Sequence, residues 1–105
     1  MKSVDLSILQ QYISCRFVRV FDNCLVFFMW AEKNNSLYKE FIFADFIEAF
    51  SFMTKVAILA EKLDHHPTWT NTYNKVCIVL QTHDQGNVIT EKDRALAFQI
   101  DGLFL

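Results

Sequence analysis

The chain has 105 residues, of which 52% are hydrophobic and 21% charged, and its formal net charge is -2. That length and apolar content provide a buried core and exclude disorder. Ten Lys and Arg against 12 Asp and Glu leave no positive field for phosphates, which argues against direct nucleic-acid binding. No repeat, low-complexity tract or Pro/Gly/Ser linker interrupts the chain, so a single domain over 1–105 is expected. Cys15, Cys24 and Cys77 are odd in number and lack a CxxC spacing, which fits reduced thiols in a cytoplasm rather than a disulfide framework or a zinc knuckle. The first residues lack the unbroken apolar stretch of a secretory signal. The longest apolar run, Cys24 to Ala31, is far short of the roughly 20 residues of a membrane helix. No membrane partner is expected.

In chain order, residues 5–14 allow a short helix with Leu6, Leu9 and Ile13 on one face. Arg16 to Val20 alternates loosely and reads as extended. Residues 24–31 read as a strand, 32–36 as a polar turn, and 37–43 as a second strand, together an antiparallel hairpin. The strongest helix covers 46–63, with Asp45 as N-cap and Glu48 completing a capping box. Phe46, Phe50, Met53, Ala57 and Ala60 form one stripe on it, and Phe52, Val56, Leu59 and Leu63 a second. So wide an apolar surface predicts cover by a sheet and by a second subunit. Pro67 forces the helix to stop near Asp64-His65-His66. Residues 68–72 read as a polar loop, 73–82 as a strand, and 83–87 as a turn. Thr90 and Asp93 form a second capping box, opening a helix over 91–101 with Leu96, Ala97 and Ile100 inward. The sum is an α+β fold, a four-stranded antiparallel sheet with helices packed on one face.

The scarce residues cluster. All three His, the only Pro and one of two Gly lie between residues 65 and 86. His65 and His66 follow the long helix, and His83 ends a strand, so one rim of the sheet can collect them. Imidazoles titrate near neutral pH and can donate or accept a proton. Asp64, Asp84 and Asp93 supply carboxylates, and Trp69 and Tyr73 flat apolar surface for a planar ligand. The same residues leave other readings open: cap or surface histidines, or a zinc site. Zinc is disfavoured because no His pair stands at i, i+4 and adjacent ligands are awkward.

From Phe41 onward the sequence resembles the pterin-4a-carbinolamine dehydratases, also called dimerisation cofactors of a homeodomain activator. The residues that carry the resemblance are Glu61, His65-His66-Pro67, Tyr73, His83 and Asp93 at the family spacing, within blocks such as AEKLDHHP and YNKV. The resemblance implies an enzyme that removes water from 4a-hydroxytetrahydrobiopterin to give quinonoid dihydrobiopterin, recycling the cofactor of aromatic amino acid hydroxylases. It implies no metal and no organic cofactor. It assigns His65, His66 and His83 to catalysis, with His65 and His83 as the acid/base pair and His66 holding the pterin. Substrate-contacting positions fall on Asp64, His65, His66, Gln81, Thr82, His83 and Asp84. Asp93 is expected to orient His83, Glu61 to support the turn that bears His65 and His66, and Trp69 to wall the pocket. A homodimer or homotetramer is implied. An alternative role is binding the dimerisation helices of a transcription activator through helix 46–63. The match fades before Trp30, where the approach RFVRVFDNCLVFFMW is unusually apolar, and the chain ends soon after Asp101.

Overall fold

The computed structural model describes residues 17–21, 24–27 and 29–104. The helix expected over 5–14 lies outside the described residues. The elements are β1 (Phe17–Phe21), β2 (Cys24–Phe27), β3 (Ala31–Lys33), β4 (Ser36–Ile42), α1 (Phe46–Lys62), β5 (Thr68–Thr72), β6 (Lys75–Leu80), a 3-10 turn (His83–Gln85), α2 (Glu91–Asp101) and a second 3-10 turn (Gly102–Phe104).

All strand pairs are antiparallel, in the order β1-β2-β4-β6-β5, with β3 also on β4. Strands β2 and β3 pair successive stretches of β4: Val26 faces Phe41 and Ala31 faces Tyr38. They therefore act as one interrupted strand, the one expected over 24–31. With β4, β6 and β5 it makes the expected four-stranded antiparallel core, and β1 adds an edge. The β3–β4 turn uses Asn34 and Asn35, both with positive φ (53° and 58°). Two such residues give a turn whose twist matches a hairpin, and Asn tolerates that region best after Gly.

Alternation along β4 and β6 divides the sheet into two faces. Leu37, Phe41, Val76, Ile78 and Leu80 are buried on one face with Ala49, Phe52, Val56 and Ala60 of α1 and Leu96, Ala97 and Ile100 of α2. Both helices thus serve one core on one face, as expected for this α+β class. Phe41 and Phe43 meet Phe52 at 4.6 and 4.9 Å between ring centroids, and Phe104 stacks on Phe41 at 5.6 Å. Aromatic pairs at these distances add to plain area burial.

One expectation changes and one is met in part. The stretch 68–72 is a strand rather than a loop. Its β-branched Thr68, Thr70 and Thr72 alternate with half-buried Trp69 and Asn71, and one large apolar residue was too little to show a period of two. In α1 the buried stripe is Ala49, Phe52, Val56 and Ala60, whereas Phe46, Phe50 and Ala57 are exposed with Ile47 and Ile58. Small Ala49 and Ala60 bring the helix close to the sheet, which leaves the larger Phe46 and Phe50 on the outer side. That face carries an open depression of about 560 Å³ lined by Thr54, Ala57, Ile58, Glu61 and Lys62. No helix among the described residues is long and apolar enough to cross a membrane.

Candidate active site

The end of α1 delivers the first two histidines. Asp64 takes a left-handed conformation (φ 52°), its N–H donates to Glu61 O at 3.2 Å, and the His65 N–H donates to Ala60 O at 3.0 Å. These two bonds form a Schellman motif, with Asp64 where glycine is usual. Asp is among the few residues that tolerate this region. The motif reverses the chain sharply and turns the His65 ring inward, where it is 9% exposed.

Asp93 waits there, fully buried. Its Oδ1 lies 2.5 Å from His65 Nε2. Its Oδ2 accepts from the Thr82 hydroxyl at 2.8 Å and from the Thr90 N–H at 2.9 Å. The last bond is half of the α2 capping box, which completes with Thr90 as N-cap. A carboxylate only accepts hydrogen bonds, so His65 Nε2 must carry the proton and Nδ1 is the nitrogen left over. The Thr82 and Thr90 hydroxyls lie 2.6 Å apart. Thr82 uses its one proton on Asp93, so Thr90 donates to Thr82. The chain Thr90–Thr82–Asp93–His65 is thereby satisfied in one direction.

His66 points the other way. It is exposed, and its Nε2 meets Glu61 Oε1 at 2.8 Å. Glu61 thus supports the histidine turn, as expected. His83 begins the 3-10 turn directly after buried Thr82. Its Nδ1 lies 2.9 Å from Asn87 Oδ1. The expectation that Asp93 orients His83 is corrected: both Asp93 oxygens are engaged, one by His65 and the other by Thr82 and Thr90. Gly86 closes the turn at φ 88°, a conformation that favours glycine.

The remaining expected residues divide. Thr82 joins the buried network, while Asp64 and Asp84 are exposed beside the histidines. Gln81 uses its amide nitrogen on the carbonyls of Asn35 (3.1 Å) and Asn87 (3.0 Å), with Asn34 O at 3.4 Å. It therefore ties the β3–β4 turn to the His83 loop. Trp69 packs against the core from β5. Tyr73 stands in the β5–β6 turn, 61% exposed, at the end of the hairpin away from His65 and His83. Sequence reasoning missed Thr90, Asn87 and Asn35 as supports. Thr90 was visible only as a helix cap. Among the described residues no group of three or more His, Cys, Asp and Glu side chains is placed to hold a metal ion.

Comparison with known proteins points to one family. Residues 23–103 match the family model described as pterin 4 alpha carbinolamine dehydratase. A candidate pterin-4-alpha-carbinolamine dehydratase of Prochlorococcus marinus strain MIT 9312 is 55% identical over 75 residues, covering 71% of this chain and 77% of the relative. Another from strain NATL2A is 58% identical over 74 residues, covering 70% and 77%. Among solved structures, a transcriptional coactivator/pterin dehydratase from Brucella melitensis superposes with a TM-score of 0.66 at 31% identity, over 99% of this chain and 100% of that one. A pterin dehydratase-like protein identified as a RuBisCO assembly factor in the alpha-carboxysome superposes at 0.61 and 28% identity, over 72% and 89%. With the family model matched over most of its length, the chain belongs to the pterin-4-alpha-carbinolamine dehydratase family.

Proposed function

We propose that the chain dehydrates 4a-hydroxytetrahydrobiopterin to quinonoid dihydrobiopterin, and so recycles the pterin cofactor of aromatic amino acid hydroxylases. The observation that carries the proposal is the buried Asp93 carboxylate holding His65 by Nε2, with Thr82 joining that network one residue before His83. In the reaction the C4a–O bond breaks and the departing hydroxyl takes a proton to become water. The N5–H proton leaves, and its bonding pair forms the C4a=N5 double bond. One imidazole gives a proton and another removes one, which fits two histidines on adjoining turns. His65 presents Nδ1 to the pterin, His83 presents Nε2, and His66 holds the ring with the polar surface of Asp64 and Asp84. The proposed site needs no metal or organic cofactor.

The experiment follows dehydration of a 4a-hydroxytetrahydropterin with and without chelator. Wild type accelerates it in both. His83→Ala and His65→Ala each lose about 100-fold or more in kcat. A His83→Ala variant at the wild-type rate sinks the assignment.

The exposed Phe46, Ile47, Phe50 and Ile58 favour a second, compatible reading. An apolar helix face of this kind is an association surface, for a second copy in a homodimer or homotetramer or for the helices of a transcription activator. Action in the cytoplasm, with no direct contact to nucleic acid, completes the proposal.

A further inference from the structure

We infer that Asn87 is a positioning residue for His83, fixing its ring tautomer so that Nε2 is the nitrogen offered to the substrate; this rests on the dehydratase reading above. Asn87 Oδ1 lies 2.9 Å from His83 Nδ1. An amide oxygen can only accept, so Nδ1 carries the proton and Nε2 is left with its lone pair in the neutral ring. Asn87 is itself pinned by two hydrogen bonds, and its backbone conformation suits it. Its backbone N–H donates to Thr82 O at 3.0 Å. Its carbonyl accepts from the Gln81 amide at 3.0 Å. Its left-handed backbone (φ 60°) suits Asn better than most residues. Gln81 also holds the Asn34–Asn35 turn, so the acceptor oxygen is referenced to β4 as well as β6.

This differs from the support of His65. That ring is held by a buried carboxylate through Nε2, whereas His83 is held by a surface amide through Nδ1. The two rings therefore keep opposite nitrogens for chemistry. A free surface imidazole prefers its Nε2–H tautomer only slightly, so one fixed acceptor at Nδ1 is enough to reverse the choice.

The test uses Asn87→Gly, Asn87→Asp and His83→Ala in the full chain. Glycine keeps the left-handed backbone and deletes only the acceptor, so the loop stays folded. The expected result is a kcat about 10-fold lower for Asn87→Gly with KM nearly unchanged, and recovery to within about threefold of wild type for Asn87→Asp, which restores an oxygen. Nitrogen-15 NMR of the neutral His83 ring should show Nδ1–H in wild type and a shift toward Nε2–H in Asn87→Gly. An Nε2–H ring in wild type overturns the inference. So does an Asn87→Gly enzyme with wild-type kcat while His83→Ala is inactive. A fully active His83→Ala instead defeats the dehydratase role of His83, and the tautomer reading still stands or falls on the NMR.

Discussion

Replacing Asp93 with Asn separates orientation from folding. Three donors converge on the two oxygens: the His65 ring, the Thr82 hydroxyl and the Thr90 N–H. Asparagine supplies one oxygen and one NH2. The oxygen goes where two donors already meet, beside Thr82 and Thr90. The NH2 then faces His65 Nε2, and two donors cannot bond. The ring escapes by moving its proton to Nδ1, the nitrogen that the pterin should meet. The charge-assisted share of these bonds is lost, about 1–2 kcal/mol. That lowers Tm by roughly 5–15 °C for a domain of this size. With a total stability of at least about 5 kcal/mol, more than about 99% of the variant stays folded at 25 °C. Unfolding cannot then explain a large rate loss. We expect kcat to fall about 100-fold or more, the scale of lost acid/base catalysis. The assay is single-turnover dehydration of freshly generated 4a-hydroxytetrahydropterin, with near-ultraviolet circular dichroism confirming the fold. A folded Asp93→Asn enzyme within about threefold of wild type would refute the tautomer argument.

Two further expectations concern the body of the fold. Lys39 is buried beneath Trp30 and Phe41, and its Nζ meets Asp101 Oδ1 at 2.6 Å while Trp30 Nε1 donates to the same carboxylate at 3.1 Å. Asp101→Ala strands the ammonium and should cost about 2–3 kcal/mol, less than a fully buried pair because Asp101 is part-exposed. Lys39→Met should cost far less, because no charge is left alone; equal losses in urea unfolding would contradict the account. On the opposite sheet face, burial pushes the Cys77 thiol above its ordinary 9.0, with Glu40 adding to the shift and Tyr38 opposing it. Tyr38 is raised as well, by burial first and then by Cys77. The folded state keeps protons that the unfolded chain gives up, so stability is intact below about pH 9 and falls as pH rises above it. Cys77→Ala should flatten part of that alkaline decline in Tm, and an unchanged slope would remove Cys77 as its source.

Much of the fold was legible because each local signal had a single physical meaning. The Asp45 and Thr90 caps placed both helix starts, and Pro67 placed the end of the first. The capping box even named Asp93, since its spacing from Thr90 follows from helix geometry alone. What it could not give was the second partner of that carboxylate. Both His65 and His83 were available in sequence, and only the Schellman reversal at Asp64 decides which one reaches the buried oxygen. The division of α1 between its two apolar stripes has a similar origin. Two apolar stripes lay side by side, and the side chains that pack closest are the small Ala49 and Ala60, which carry the least hydrophobic signal. Tyr73 failed for a third reason. Its distance in sequence from His65 suits a shared rim, but β5 is a strand and carries the chain away from that rim before it turns.

The proposed site gives a reason for non-glycine residues on strained backbone at Asp64 and Asn87. Asp64 and Asn87 both sit at positive φ, one directly before His65 and the other four residues after His83. Glycine would be easier at either position and would cost little in folding. At Asn87 it would remove the amide oxygen that accepts from His83, and the loop would then hold the backbone without directing the ring. At Asp64 it would remove a carboxylate from the rim where the polar edge of a pterin is proposed to lie. The strain of each left-handed residue, about 1 kcal/mol, is small beside the loss of rate when an acid/base group is misaligned. On the proposed mechanism, the Asp64 and Asn87 side chains serve the site at a small cost in folding.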